Sequence, residues 1–229
     1  MRSTNVPRPQ PAKLRPGPLM AEGFRDLLRT PYSTVLLLHL LILGASASVG
    51  DRSDGTALLG ALLLEVVSTY LLIAMTLAAA SKRDRSADEW IKLSFRRKVF
   101  WRYTLTGLVV VVVILVGLVV LIVGGLILGA VFALAFPVSI QERAWPPTAL
   151  RRSAALSEGN RVPLGVVFAV LFVLPFSVVI AGGQLGWDED LGAAWLALGF
   201  LGTVTTLAGV IALTRAYIAL GGTLTEPEF

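Results

Sequence analysis

Four polar side chains lie inside otherwise apolar segments of this chain, where a charge or a hydroxyl group is costly in a membrane. Glu65 is the one acidic residue within the apolar block 57–80, and Ser68 and Thr69 follow it at helical spacing. His39 lies at a similar depth in the preceding apolar block. An ionisable group inside a membrane-spanning helix usually pairs with another polar group or marks a pathway for ions or protons. A Glu65–His39 pair could therefore relay protons or bind a cationic group; the alternative is a protonated Glu65 hydrogen-bonded to a neighbouring helix.

Basic residues between the apolar blocks form a second set with a chemical use. Lys and Arg at a membrane surface attract anionic phospholipid headgroups. The candidates are Lys92, Arg96, Arg97, Arg151, Arg152 and Arg161. We expect this face to contact anionic lipid or a partner protein; the alternative is that these charges only hold their segments on the cytoplasmic side. Because the basic residues flank apolar segments, no nucleic-acid partner is expected.

Enzyme chemistry finds little support in the residue types present. The chain has no cysteine and a single histidine, which excludes disulfides, thiolate metal sites and a zinc site built from several histidines. It contains no nucleophile elbow, no phosphate-binding loop and no paired-histidine metal helix. We therefore expect no catalytic residue, no metal and no cofactor.

The elements that carry these residues are predicted to be membrane-spanning helices. Hydrophobic residues make up 55% of the 229 residues and charged residues only 15%. This composition is typical of an integral membrane protein. A region resembling a signal peptide, Thr34–Leu43 followed by Ala45-Ser46-Ala47, is preceded by an unusually long segment. This length argues against cleavage there.

The uncharged run 103–141 decides the topology. It is too long for one ordinary span of about 20 residues and about long enough for two. One long tilted helix gives five spans and leaves the arginines between Arg143 and Arg161 outside. A hairpin gives six spans and leaves only Arg52 of the 20 Lys and Arg residues outside. The positive-inside rule favours the hairpin, and Gly124-Gly125 offers a place for the turn.

We therefore predict an all-α protein with six spans in a single membrane domain, residues 19–221. The spans lie at about 32–50, 56–80, 103–122, 126–141, 162–183 and 191–220. A basic Pro-rich arm (residues 1–18) precedes the domain, and a short tail (residues 222–229) follows it. Both termini are expected in the cytoplasm.

Short amphipathic helices are expected on the cytoplasmic face, between the spans. Met20, Phe24, Leu27 and Leu28 predict one interfacial helix, and a stripe that includes Trp90, Ile91 and Ser94 predicts another. Pro147 suits the first turn of a third short helix, and Gly159 suits its C-terminal cap.

The segment around this third helix has a distinctive order of residues. Its elements are Pro137, Glu142, Pro147, Ala149 to Ser153, Leu156, Ser157, Gly159 and Arg161. In this order the chain resembles a family of bacterial multi-span membrane proteins that includes the membrane domain of some glycerophosphodiester phosphodiesterases. The resemblance implies a six-helix bundle in a bacterial cytoplasmic membrane. It does not imply phosphodiesterase activity, because the catalytic domain of those enzymes is a separate soluble barrel.

The function expected from these observations is that of a non-catalytic structural or accessory module of a larger membrane assembly. Its basic cytoplasmic face would contact anionic lipid or a membrane protein partner. The alternative is a small transporter or lipid-handling protein that works through Glu65 and His39.

Overall fold

A computed structural model of the chain describes residues 13–29, 31–50, 55–81, 86–95, 97–120, 122–175, 177–178 and 192–223. Within these ranges the fold is all-helical, and no strand is present. The helices are α1 (Pro16–Leu27), α2 (Tyr32–Gly50), α3 (Gly55–Ala80), α4 (Ala87–Ser94), α5 (Arg97–Val120), α6 (Ile122–Phe132), α7 (Ala135–Gln141), α8 (Pro146–Leu156), α9 (Arg161–Phe168) and α10 (Gly192–Ala219). A π-helical segment, Ala169–Val173, continues α9. The predicted fold class, all-α, is confirmed.

Three segments of the described chain are long and apolar enough to cross a membrane. They are Leu63–Ala80, Gly124–Gln141 and Ala197–Ala219. A fourth candidate exists if α8 and the helix from Arg161 to Val173, which are bent by 117° relative to each other, count as one broken span. By length and composition, the described residues therefore contain three to four candidate spans.

The uncharged run folds back on itself, as the hairpin interpretation requires. The rings of Tyr103 in α5 and Phe136 in α7 lie 5.1 Å apart, centroid to centroid. In one continuous helix these residues would be separated by about 50 Å. The predicted position of the turn is wrong, because Gly124 and Gly125 lie inside α6.

Glycines bring the helices close together. A Cβ atom at Gly129 of α6 would lie 2.7 Å from Phe168 Cδ1, and one at Gly209 of α10 would lie 2.5 Å from Phe172 Cε2. The rings of Phe168 and Phe172 stack on each other, with centroids 5.6 Å apart. These two rings therefore fill the space between α6 and α10, and the glycines leave room for them.

Pro137 lies inside α7, and a break precedes it. Proline has no N–H group for the carbonyl four residues earlier and clashes with it. The helical run is interrupted by a turn at Ala133 and Leu134. Ser153 of α8, fully buried, donates its hydroxyl to the Val131 carbonyl at 2.8 Å. The third short helix thus supplies a hydrogen bond to the backbone beside the break.

A helix is present where the sequence predicts the first interfacial helix, and part of its predicted apolar stripe is exposed. The buried residues of α1 are Leu19, Gly23, Asp26 and Leu27, whereas Phe24 and Leu28 are exposed. A Cβ atom at Gly23 would lie 3.2 Å from the Ala208 carbonyl carbon and closer still to its oxygen. The helix packs tightly against α10, and it begins at Pro16, inside the predicted arm.

The other two short helices lie where the sequence predicts them. In α4, Trp90, Leu93 and Ser94 are buried, and Trp90 joins a core cluster with residues of α1, α2, α3 and α10. Helix α8 has proline in its first turn, and Gly159 follows it with φ 78°, a conformation that favours glycine. Buried residues of α8 pack into a second cluster with α7, α9 and α10.

Candidate functional site

His39 of α2 and Ser68 of α3 form a polar contact between two apolar helices. His39 Nε2 lies 2.9 Å from Ser68 Oγ. The other ring nitrogen, Nδ1, is buried and has no hydrogen-bond partner in the described part of the chain. A buried polar atom without a partner is costly. This contact is the polar pair that the structure brings together between α2 and α3.

Glu65 does not join this contact. Its side chain is exposed and has no hydrogen bond or ion pair with any described residue. It lies three positions before Ser68, so its side chain is turned by about 60° around α3 relative to that of Ser68. Thr69 donates its hydroxyl to the Glu65 carbonyl at 3.0 Å, within its own helix. The structure thus places His39 against Ser68 and leaves the Glu65 carboxyl group on an outer face.

The predicted basic residues have different surroundings. Lys92 is exposed and lies 3.2 Å from Asp88, and Arg152 lies 3.1 Å from Glu142. Arg151 and Arg161 are exposed and form no hydrogen bond or ion pair with the described residues. Arg96 and the side chain of Arg97 lie outside the described residues. The predicted arm at residues 1–12 and the tail at 224–229 also lie outside them.

Asp88 is the acidic partner on the N-terminal turn of α4. It accepts hydrogen bonds from Ser86 Oγ and from Lys92 Nζ. These two hydrogen bonds hold the pKa of the Asp88 carboxyl below its ordinary value. The bond from the Ser86 hydroxyl has the larger effect, and the bond from Lys92 the smaller one. Lys92 is therefore already paired with a carboxylate on its own helix.

Glu142 connects three parts of the fold at one end of the helices. Its Oε1 atom accepts a hydrogen bond from Arg152 Nε of α8 at 3.1 Å and lies 3.1 Å from the Tyr217 hydroxyl of α10. The same hydroxyl lies 2.7 Å from the Thr223 carbonyl, to which it can donate its proton. We call this end of the helices, with Glu142, Arg152 and Tyr217, the polar end.

A second carboxylate, Asp26, is buried and anchors α1 at the polar end. The side chain of Asp26 is 7% exposed, and Oδ2 lies 3.3 Å from Arg215 Nη2 of α10. Its Oδ1 atom lies 3.2 Å from Arg29 Nη1. A buried carboxylate with two cationic partners is satisfied in place and is costly to leave buried without them.

Sequence reasoning missed both carboxylate contacts. Asp26 and Arg215 are far apart in the chain, and nothing in their local patterns indicates that they meet. The apolar stripe of α1, with Met20, Phe24 and Leu28, does not include Asp26, so the pattern offered no signal that this carboxylate is buried. Glu142 and Arg152 do belong to the distinctive segment, and the structure shows that they bind each other.

These arrangements support binding and structure more than reaction chemistry. The polar end holds ion pairs whose members satisfy one another, and the apolar helices hold one histidine–serine contact. The exposed cations Arg151 and Arg161 are free to meet an anionic partner. Comparison with protein-family models, curated protein sequences and solved structures finds no match to this chain. The family resemblance therefore stays a prediction from the sequence.

Proposed function

We propose that the chain is a non-catalytic accessory module of a bacterial cytoplasmic membrane, with six spans and both termini in the cytoplasm. The observation that carries the proposal is the set of exposed cations at the polar end that pair with no described residue, Arg151 and Arg161 among them. Cations in this position attract the phosphates of anionic lipids or an acidic partner. The distinctive segment would stabilise the fold of this end. It does so through the ion pair between Arg152 and Glu142 and the hydrogen bond from Ser153 to the Val131 carbonyl.

The exposed position of Glu65 is a reason to expect a protein partner within the membrane. Ionisable residues in membrane spans almost always pair or face a cavity. Glu65 lies in the candidate span Leu63–Ala80 and is exposed, with no partner among the described residues of its own chain. Leu63, Val66 and Val67 beside it are also exposed. A polar group on a helix of another subunit would satisfy Glu65.

The accessory role is tested by purification in a mild detergent from native membranes. We expect a stoichiometric membrane protein to copurify with the wild-type chain and to be lost with Glu65→Leu. Leu63→Ala, at an exposed position on a different side of the same helix, is the control and should retain the partner. Repeated recovery of a bare monomer that also shows no preference for anionic lipid would refute the proposal.

The topology is tested by labelling single cysteines in intact cells. The chain has no cysteine of its own. Ala155 is exposed on α8 and suits a probe. Ser153 does not, because it is buried and its hydroxyl is hydrogen-bonded to the Val131 carbonyl. With six spans, Ala155→Cys is labelled only after permeabilisation, and Gly186→Cys is labelled from outside. Labelling of Ala155→Cys in intact cells would mean that the six-span topology is wrong.

The contact between His39 and Ser68 favours a second candidate function, a small transporter or lipid-handling protein. Histidine can take up and release a proton near neutral pH, and Ser68 lies within hydrogen-bond distance of it. In proteoliposomes, a proton flux that His39→Gln and Glu65→Gln both abolish would support this function. Unchanged flux in both variants would exclude it.

A further inference from the structure

One hydrogen bond brings the start of the described chain to the start of α9. The Leu14 N–H group donates to Asn160 Oδ1 at 2.8 Å. Asn160 is buried and precedes α9 directly, and Leu14 packs against the core cluster formed by α7 to α10. Residues 13–15 and 160–161 are therefore neighbours, although almost the whole chain separates them.

This bond gathers three cations. Lys13 and Arg15 flank Leu14, and Arg161 follows Asn160, so each begins within one residue of the bond. All three side chains are exposed, and none forms a hydrogen bond or ion pair with the described residues. Because α9 begins at Arg161, the positive end of its helix dipole adds to the same surface.

An exposed apolar column begins beside these cations. Val162 is 78% exposed, and Val166, Val170 and Leu174 follow it at intervals of four residues, all exposed. Residues four apart lie on one side of a helix. In a membrane this column would face acyl chains, and Lys13, Arg15 and Arg161 would lie at the level of the headgroups. A soluble anion would make no use of such a column.

We propose that Lys13, Arg15 and Arg161 form a composite binding site for the phosphate of an anionic phospholipid, assembled by the hydrogen bond between Leu14 and Asn160. The site rests on the proposed function, since it requires a basic face at the membrane surface. It gives that face a defined ligand and extends it to the residues that precede α1. Arginine guanidinium groups bind phosphate with paired hydrogen bonds, and lysine adds a compact charge.

Two carboxylates on the same elements limit how much anion the surface can attract. Glu158 lies three residues before Arg161, and Glu22 lies about two turns beyond Arg15 on α1. Neither forms an ion pair with the three cations. The local charge therefore remains positive, and one phosphate is the ligand that it suits.

The test is native mass spectrometry of the full chain in detergent, titrated separately with dioleoyl phosphatidylglycerol and dioleoyl phosphatidylcholine. We expect the wild-type chain to bind phosphatidylglycerol more tightly. The variant K13Q/R15Q/R161Q should lose at least about tenfold in this preference, since each cation near the surface contributes about fivefold. A matched variant, R25Q/K98Q/R143Q, removes the same charge from exposed positions outside the proposed lipid-binding face and should lose less than about threefold.

A charge-neutral variant tests the assembly of the site. Asn160→Ala removes the acceptor for Leu14 and should weaken phosphatidylglycerol binding without changing net charge. Equal losses in the two triple variants would refute the composite site and leave the proposed function intact. Displacement of phosphatidylglycerol by inorganic phosphate would also refute it, in favour of a soluble anion. No lipid preference in the wild-type chain would refute the lipid-binding part of the proposed function together with the site.

Discussion

Substitution of Gly23 by alanine tests whether α1 is docked against α10 or lies free on the membrane surface. In the structure, an added Cβ atom would lie 3.2 Å from the Ala208 carbonyl carbon, 3.4 Å from Ala212 Cβ and closer still to the Ala208 oxygen. The obstacle is largely backbone, so α1 must move away. Overpacking of this kind costs about 1–3 kcal/mol. The higher helix propensity of alanine returns about 1 kcal/mol.

The matched control is Gly202→Ala in α10, where an added Cβ atom would meet nothing within 4 Å. There only the propensity gain of about 1 kcal/mol applies. The propensity gain is common to both, so we expect the two variants to differ by the overpacking cost alone, about 1–3 kcal/mol in unfolding free energy. The measurements are thermal unfolding in mild detergent and hydrogen exchange of the α1 amides. The exchange rate of these amides should increase in Gly23→Ala and not in Gly202→Ala.

The docking of α1 has a clear refutation. A surface-lying helix with no close neighbour would gain from alanine at position 23, as from alanine at position 202. If Gly23→Ala and Gly202→Ala stabilise the protein equally, and α1 exchanges at the same rate in both, the contact with Ala208 does not exist in the membrane protein.

Three further variants address single contacts. Ser153→Ala should destabilise the fold by about 1–3 kcal/mol, because the Val131 carbonyl loses its donor in a buried place; thermal unfolding measures it. Tyr217→Phe should cost a similar ~1–3 kcal/mol through the lost contacts with Glu142 and the Thr223 carbonyl; the same assay applies. Folding lowers the pKa of Asp88. Its contribution to the stability of α4 is therefore present above the pKa of the unfolded chain and is lost as the pH falls through the pKa of the folded protein. Exchange of the α4 amides, corrected for intrinsic pH effects, should show this loss in the wild type and not in Asp88→Asn.

Each of these variants has a control of the same type. Ser177→Ala removes an exposed hydroxyl that bonds within its own helix, and Tyr70→Phe removes a hydroxyl from a ring stacked on Phe95. Glu89→Gln removes an exposed carboxylate from the same turn as Asp88. Controls that match the test variants in size of effect would show that the named contacts are not the cause.

The sequence predicted the helices well, because they depend on local chemistry. Long apolar runs without charges, Pro147 near the start of α8 and Gly159 after its end all act within a few residues. The fold-back of the uncharged run was also predictable, since charge placement and length constrain it. The position of the turn was not, because a glycine pair suits a turn and a close helix contact equally well, and only the neighbours decide.

The contents of the candidate sites were predicted less completely. Periodicity marked Met20, Phe24, Leu27 and Leu28 as the apolar stripe of an interfacial helix, but it did not indicate that Gly23 and Asp26 face α10. A count of apolar residues does not show that Gly23 allows α1 to approach α10 closely, or that Arg215 of α10 forms an ion pair with Asp26. In the same way, depth along the chain suggested Glu65 as the partner of His39, whereas the rotation of α3 presents Ser68.

The amino-acid sequence by itself determined that this protein is all-helical, that its helices are mostly apolar and that its cations lie between them. These properties follow from composition and short-range pattern, which act before any tertiary contact forms. Only the tertiary structure decided which polar groups meet: Asp26 with Arg215, Glu142 with Arg152 and Tyr217, and Leu14 with Asn160. The physical reason is that such contacts depend on the rotation and separation of packed helices, which are set by side-chain shape across the whole bundle.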